Sequence, residues 1–185
     1  MVAVGEVALV LGGARSGKSV VAERLAARCG APVTYVATGA GDDLEDTGWR
    51  DRIAAHRARR PAAWTTAEVP QGGDLAAALL AVDGTGLVDS LGTWVAGHRG
   101  FAVATDRLLD ALGRRAADGR ATVLVSEEVG MGVHPASEAG RRFRDALGRL
   151  NEEVAAVAGT VLLVVAGRVL RLDPSDPPDL PGRAG

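Results

Sequence analysis

The sequence predicts an α/β domain in which a mostly parallel central sheet is covered on both faces by helices. Two observations carry the prediction. Apolar runs of five to eight residues alternate with longer amphipathic segments, the rhythm of buried parallel strands joined by crossover helices. The first run also flows directly into a glycine-rich loop and then an amphipathic segment, so strand, loop and helix follow one another without a linker. Composition fits: 185 residues, 47% hydrophobic and 24% charged, suit one domain with a sizeable core.

In chain order, the predicted strands are residues 7–11, 33–37, 86–90, 122–126 and 161–166, with 64–69 and 169–172 as shorter candidates. Helices are predicted over 18–28, 49–59, 75–82, 106–118 and 137–158. The sheet therefore has five to seven strands. In the last helix Phe143, Leu147, Leu150, Val154 and Val157 recur at spacings of four and three, a core stripe, with Arg142, Arg149 and Glu153 elsewhere on its surface. The domain is expected to span residues 1–172. The last thirteen residues, DPSDPPDLPGRAG, hold four of the eight prolines and too little apolar surface to order themselves, so 173–185 reads as an unstructured tail.

Charge and targeting narrow the function classes. A net charge of −2 gives no general electrostatic attraction to nucleic acid or anionic membranes, so any phosphate recognition must be local. No apolar run approaches the roughly 20 residues of a membrane span, and no export signal precedes the first glycines. A single cysteine, Cys29, has no partner for an intrachain disulfide, which favours a reducing cytoplasm and a packing role.

Residues 12–19, GGARSGKS, match G-x-x-x-x-G-K-[ST], with Gly12, Gly17, Lys18 and Ser19 in the fixed positions. Glycines let the backbone approach a phosphate chain whose oxygens meet N–H groups at a helix N-terminus. Lys18 reaches the β- and γ-phosphates, and the Ser19 hydroxyl can ligate Mg2+. An acidic partner belongs at the end of a nearby strand. Asp89 is the candidate, ending the apolar run before Ser90, with Glu127 and Glu128 as competitors for that role or for positioning a substrate hydroxyl. Downstream, Arg52, His56, Arg59 and Arg60 fall at i, i+4, i+7 and i+8 of a predicted helix that Pro61 stops. Three guanidiniums and an imidazole on one face suit a triphosphate, and a neutral imidazole could attack its α-phosphorus. On spacing alone, a solvated basic face with an incidental histidine is the better explanation, because charged helix faces are usually just surface.

The strings GGARSGKS, YVATG, RIAAHRARRPAAWTTAE, LVDSLGTWV, EVGMGVHP and RRFRDALGRLN together closely resemble the bifunctional adenosylcobinamide kinase and adenosylcobinamide-phosphate guanylyltransferase family of cobalamin biosynthesis. The resemblance implies a P-loop NTPase-like three-layer fold, phosphorylation of adenosylcobinamide by ATP or GTP, and transfer of GMP from GTP through a guanylylated histidine to adenosylcobinamide phosphate. By motif that histidine is His56, with Lys18 as the second catalytic residue. The nucleotide-binding positions implied are Gly12, Gly13, Ala14, Arg15, Ser16, Gly17, Lys18, Ser19, Ala37, Thr38, Gly39, Arg57, Ala58, Arg59, Arg60, Glu68 and Asp89. Ser19 and Asp89 are the implied Mg2+ ligands, and a homotrimer is the implied assembly. There are two departures from the family: Glu127 stands where an asparagine is usual, and a second usual asparagine, shortly after the tryptophan, is missing where this chain has Gly97 and His98. An amide-to-carboxylate change removes a donor and adds charge, so weaker corrinoid-side contacts are expected. His98 is a second candidate acceptor and His134 a loop residue. The alternative functions are a P-loop small-molecule kinase whose histidine is never modified, and a nucleotide-switch or motor-type ATPase acting on a protein partner.

Overall fold

The computed structural model describes residues 5–30, 32–40 and 60–173. Seven strands, β1 (Val7–Gly12), β2 (Val33–Ala40), β3 (Thr65–Pro70), β4 (Thr85–Asp89), β5 (Thr122–Glu127), β6 (Thr160–Val165) and β7 (Arg168–Leu172), form one sheet in the order β3-β2-β4-β5-β1-β6-β7. Every neighbouring pair is parallel except β6 and β7, which form a hairpin. The helices are α1 (Lys18–Ala26), α2 (Leu75–Leu80), α3 (Leu91–Ala96), α4 (Thr105–Ala117) and α5 (Glu138–Val157), with a short 3-10 turn at Arg99–Phe101.

Strand alternation sends side chains to two separate cores. Val7, Leu9 and Leu11 of β1 face the cluster completed by Leu75, Leu91, Leu108, Leu112, Leu147 and Leu150 from α2 to α5. Ala8 and Val10 face the opposite side, where Ala22 and Ala26 of α1 pack on Val123, Val125 and Leu87. The expected three layers are present. Each fully buried leucine contributes about 1.5–3 kcal/mol of hydrophobic stabilisation, before the entropy of ordering it.

The predicted strands are found within a few residues, and both short candidates are real strands. Three expectations need correction. Ser90 does not continue β4: its hydroxyl accepts from Thr93 N at 3.2 Å and caps α3, a helix the sequence reading missed. Ala166 does not continue β6, because Ala166 and Gly167 both take positive φ (49° and 74°) in the two-residue turn to β7. In α5, Leu147, Leu150 and Val154 are buried as expected, but Val157 is 49% exposed at the helix end, and Ala158 packs on the core just beyond it. The predicted helix 49–59 and residues 174–185 lie outside the described residues.

One buried cation joins four elements. Arg115, on α4 and fully buried, donates from Nε to Thr122 Oγ1 at 2.9 Å. Its Nη1 donates to the Leu79 and Val82 carbonyls at 2.7 and 2.6 Å, and its Nη2 to those of Gly84 and Ala121 at 2.8 and 3.1 Å. All five guanidinium donors are used. Burial pushes its pKa down to about 10, still far above neutrality, so the group stays charged. Arg115 thereby ties α2, the turn before β4 and the start of β5 to α4, fixing the strands whose far ends build the site.

Candidate active site

The C-terminal edge of a parallel sheet is where crossover loops gather and ligands bind. At the end of β1, Gly12 sits between Glu127 of β5 and Val164 of β6. A Cβ on Gly12 would lie 2.5 Å from Ser16 Oγ and 2.7 Å from the Val164 carbonyl, so the loop closes too tightly for any other residue. Gly17, at φ 96°, turns the chain into α1. The helices α2, α3 and α5 begin under side-chain caps from Asp74, Ser90 and Ser137, whereas α1 and α4 begin without one. Of the two uncapped starts, that of α1 follows the glycine loop directly, so its first turn is available to an anion held there. The β6–β7 turn braces the loop, since Gly167 N donates to the Ser16 carbonyl at 2.8 Å.

Lys18 Nζ lies 3.4 Å from the Gly13 carbonyl and 3.4 Å from Glu127 Oε1. The carboxylate at the phosphate-loop lysine is thus Glu127, at the tip of the strand beside β1. Its Oε2 accepts from Ser90 Oγ at 3.0 Å, and that hydroxyl is 2.7 Å from Thr93 Oγ1. The backbone beneath is pinned by a buried amide: Asn151 Nδ2 donates to the Glu127 carbonyl at 3.1 Å, and Ser126 Oγ donates to Asn151 Oδ1 at 2.6 Å. Glu128 has a different task, accepting from the Gly130 and Met131 amides to shape the following loop.

A second group forms on β2, β3 and β4. Register places Glu68, Ala37 and Asp89 abreast on these three strands. The Tyr35 hydroxyl donates to Asp89 Oδ2 at 3.1 Å, and the Arg60 guanidinium lies 3.1 Å above the Tyr35 ring centre. Burial, and then the Asp89 charge, drive the Tyr35 pKa well above its ordinary value, so the phenol stays protonated and donates. Arg60 Nε is buried with no hydrogen-bond partner among the described residues. Arg60, Trp64, Thr66 and Glu68 line an open cleft of about 410 Å3. The two groups meet at the start of α3. Thr38 Oγ1 donates to the Ser90 carbonyl at 2.6 Å, and Gly39, at φ 73°, has no room for a Cβ beside Thr93.

Gly12 to Ser19 therefore run from the end of β1 through the loop into the first turn of α1, Ala37, Thr38 and Gly39 lie in β2 with Thr38 and Gly39 against the start of α3, and Arg60 and Glu68 share the cleft. Asp89 ends β4, with β5 between it and the phosphate loop. His56, Arg57, Ala58 and Arg59, like Arg52, lie outside the described residues. His98 Nδ1 is 2.8 Å from the Trp94 carbonyl and its ring meets Trp94 edge-on, a packing role at the end of α3. His134 Nδ1 is 3.0 Å from Arg144 Nη1 in the loop before α5. Cys29 donates to the Leu25 carbonyl, and burial raises its thiol pKa. Sequence reasoning missed Tyr35 as a partner of Asp89, and Ser90, Thr93 and Asn151 as partners of Glu127. A single Ser/Thr pair three apart after an apolar run was the available sign of the α3 cap.

Comparison with known proteins agrees with this geometry. The chain resembles in fold the flagellar accessory protein FlaH from Methanocaldococcus jannaschii, with a TM-score of 0.54 at 14% identity, covering 91% of this chain and 76% of that one. The fold is that of P-loop NTPases. It is 43% identical to the bifunctional adenosylcobalamin biosynthesis protein CobP of Pseudomonas aeruginosa, over 86% of this chain and 92% of that protein. It is 39% identical to the corresponding protein CobU of Salmonella typhimurium, over 86% of this chain and 95% of that one. The family model for cobinamide kinase / cobinamide phosphate guanyltransferase matches residues 8–172, and the chain belongs to that family.

Proposed function

We propose that this enzyme performs two successive reactions on the same corrinoid: it phosphorylates the aminopropanol hydroxyl of adenosylcobinamide with ATP or GTP, then transfers GMP from GTP to the new phosphate. The products are adenosylcobinamide-GDP and pyrophosphate. The observation that carries the reading is the phosphate loop closed between β5 and β6, with Lys18 held over it and an uncapped helix behind it. Such a loop neutralises charge on a transferring phosphoryl group by position and electrostatics.

For the second reaction His56 is the proposed carrier. An imidazole nitrogen attacks the α-phosphorus of GTP, an N–P bond forms, the bond from that phosphorus to the bridging oxygen breaks, and pyrophosphate leaves. A phosphate oxygen of adenosylcobinamide phosphate then attacks the same phosphorus, and the imidazole is released. Arg57, Arg59 and Arg60 would hold the triphosphate and the departing pyrophosphate, with Ala58 lying along the same stretch. Arg60 supports this part: it stands in the cleft beside Glu68 with a buried Nε to satisfy. Glu68 and Asp89, abreast across Ala37, would orient the nucleotide. Ser19 and Asp89 offer the hard oxygen donors that Mg2+ prefers, so the residues fit the ion, which would supply charge neutralisation on the phosphates when bound.

Among the described residues no helix is long and apolar enough to cross a membrane. A cytoplasmic location and a homotrimeric assembly complete the proposal, the latter on family resemblance. The test is product analysis with cobinamide, GTP and Mg2+. Cobinamide phosphate should appear first and its GDP derivative second. A kinase that never modifies its histidine would stop at the first product, and a protein-directed ATPase would form neither.

A further inference from the structure

We propose that Glu127 is a catalytic residue of the kinase half-reaction, the acceptor of the proton that the attacking corrinoid hydroxyl must lose. The proposal rests on the kinase reading above and concerns this chain in particular: asparagine is usual at this position in the family and its amide cannot take up the proton, whereas the Glu127 carboxylate can. Its first support is position. A phosphate-loop lysine contacts the β- and γ-phosphates of its nucleotide, and Glu127 Oε1 lies 3.4 Å from Lys18 Nζ. A carboxylate there stands beside the phosphorus being attacked. Asp89 is displaced from this position by the whole width of β5 and accepts from Tyr35. Glu128 is committed to the Gly130 and Met131 amides.

The second support is how the carboxylate is held. Oε2 accepts from Ser90 Oγ, which leaves Oε1 as the oxygen turned to Lys18. The backbone is fixed through Asn151. The first turn of α3 also makes room for the group, since a Cβ built on Gly92 would overlap Glu127 Oε2. Despite these restraints the Glu127 side chain remains 29% exposed, so a substrate can reach it. A carboxylate placed merely to neutralise Lys18 would not need one oxygen clamped and the other presented at an open edge.

The step balances simply. The hydroxyl oxygen bonds to the γ-phosphorus, the bond from that phosphorus to the bridging oxygen breaks with its electron pair leaving on the nucleoside diphosphate, and the hydroxyl proton passes to Glu127. The carboxylate then returns its proton to water. The guanylyl transfer needs no such acceptor, because an imidazole attacks in one step and a phosphate oxygen, already ionised, attacks in the other. Glu127 should therefore matter to one half-reaction and not to the other.

The experiment measures both half-reactions in purified full-length Glu127→Gln, Glu127→Asp and Gly92→Ala: phosphorylation of cobinamide by GTP, and incorporation of α-phosphate-labelled GTP into the protein. Glu127→Gln should lose about 10²–10⁴-fold in kinase kcat, the range for a positioned acid–base group, with KM for GTP within threefold and label incorporation within a few-fold of wild type. Glu127→Asp should recover part of the kinase rate. Gly92→Ala, which must push the flexible carboxylate aside, should lower kinase kcat with KM held. A Glu127→Gln enzyme with wild-type kinase kcat would overturn the proposal. So would an equal loss in both half-reactions or a loss carried by KM, since either would mean that Glu127 only positions Lys18. A wild-type protein that does not phosphorylate cobinamide would overturn the kinase reading itself, and this proposal with it.

Discussion

Replacing Arg115 with methionine should destabilise the protein strongly while leaving its chemistry intact. Methionine keeps the unbranched stem and removes the guanidinium, so five hydrogen bonds disappear at once. They are not equal losses. The Leu79 carbonyl still accepts from Val82 N, that of Val82 from Arg120 Nη1, and that of Ala121 from Gly86 N. The Gly84 carbonyl and the Thr122 hydroxyl lose the partners just described. A hydrogen bond to a charged group contributes about 1.5–3 kcal/mol, and an orphaned buried polar atom costs about 1–3 kcal/mol. Removing a buried charge returns part of this by sparing its desolvation. The balance is a loss of about 2–4 kcal/mol. For a chain of this length that is a fall in Tm of roughly 5–15 °C. Differential scanning calorimetry measures it, with Arg120→Met as the control. Arg120 pairs with Asp118 and donates to the Leu80 and Val82 carbonyls at 3.2 Å each, but it is partly exposed and water can replace it, so its loss should cost less, about 1–2 kcal/mol. A Tm drop below 2 °C for Arg115→Met, or one no larger than for Arg120→Met, would refute the idea that the buried guanidinium holds α4 to the sheet.

Further outcomes follow from the site. Lys18→Met should reduce kcat/KM for cobinamide phosphorylation by at least about 10²–10³-fold while the Tm moves little; retention of most activity would separate the phosphate loop from the kinase step. Tyr35→Phe keeps the ring under Arg60 and removes only the hydroxyl that orients Asp89. It should raise KM for GTP roughly three- to tenfold, the value of one hydrogen bond at about 0.5–1.5 kcal/mol, and initial-rate kinetics giving an unchanged KM would count against Asp89 as a nucleotide contact. Chelation of Mg2+ with EDTA should stop cobinamide phosphorylation, with added Mg2+ restoring it; full activity in EDTA would remove the metal role assigned to Ser19 and Asp89.

Much of this arrangement is legible in the sequence because its physics is local. Strands buried on both faces must be continuous apolar runs, and residues 7–11 and 122–126 are. The phosphate loop is a spacing of glycines that only one backbone path satisfies. Other features depend on which strands lie side by side, which periodicity does not encode. Asp89 and Glu127 both end apolar runs, and only the insertion of β5 between β1 and β4 gives Lys18 to Glu127 rather than to Asp89. The helix α3 has six residues, including Gly92 and Thr93, and starts directly from a strand, too short for a helical period to declare itself. Arg60 meets Tyr35 across 25 residues of chain, a contact no local pattern announces. The amide of Asn151, within an otherwise apolar stripe of α5, was the clue that something polar lay beneath that helix.

The proposed transferase half depends on covalent guanylylation of His56. Intact-protein and peptide mass spectrometry after incubation with GTP and Mg2+ examines it without any corrinoid. A GMP-sized adduct should form, map to the peptide carrying His56, survive denaturation and be absent in His56→Ala. A protein that stays unmodified while remaining able to phosphorylate cobinamide, or an adduct that maps elsewhere, would mean that GMP never travels through this imidazole.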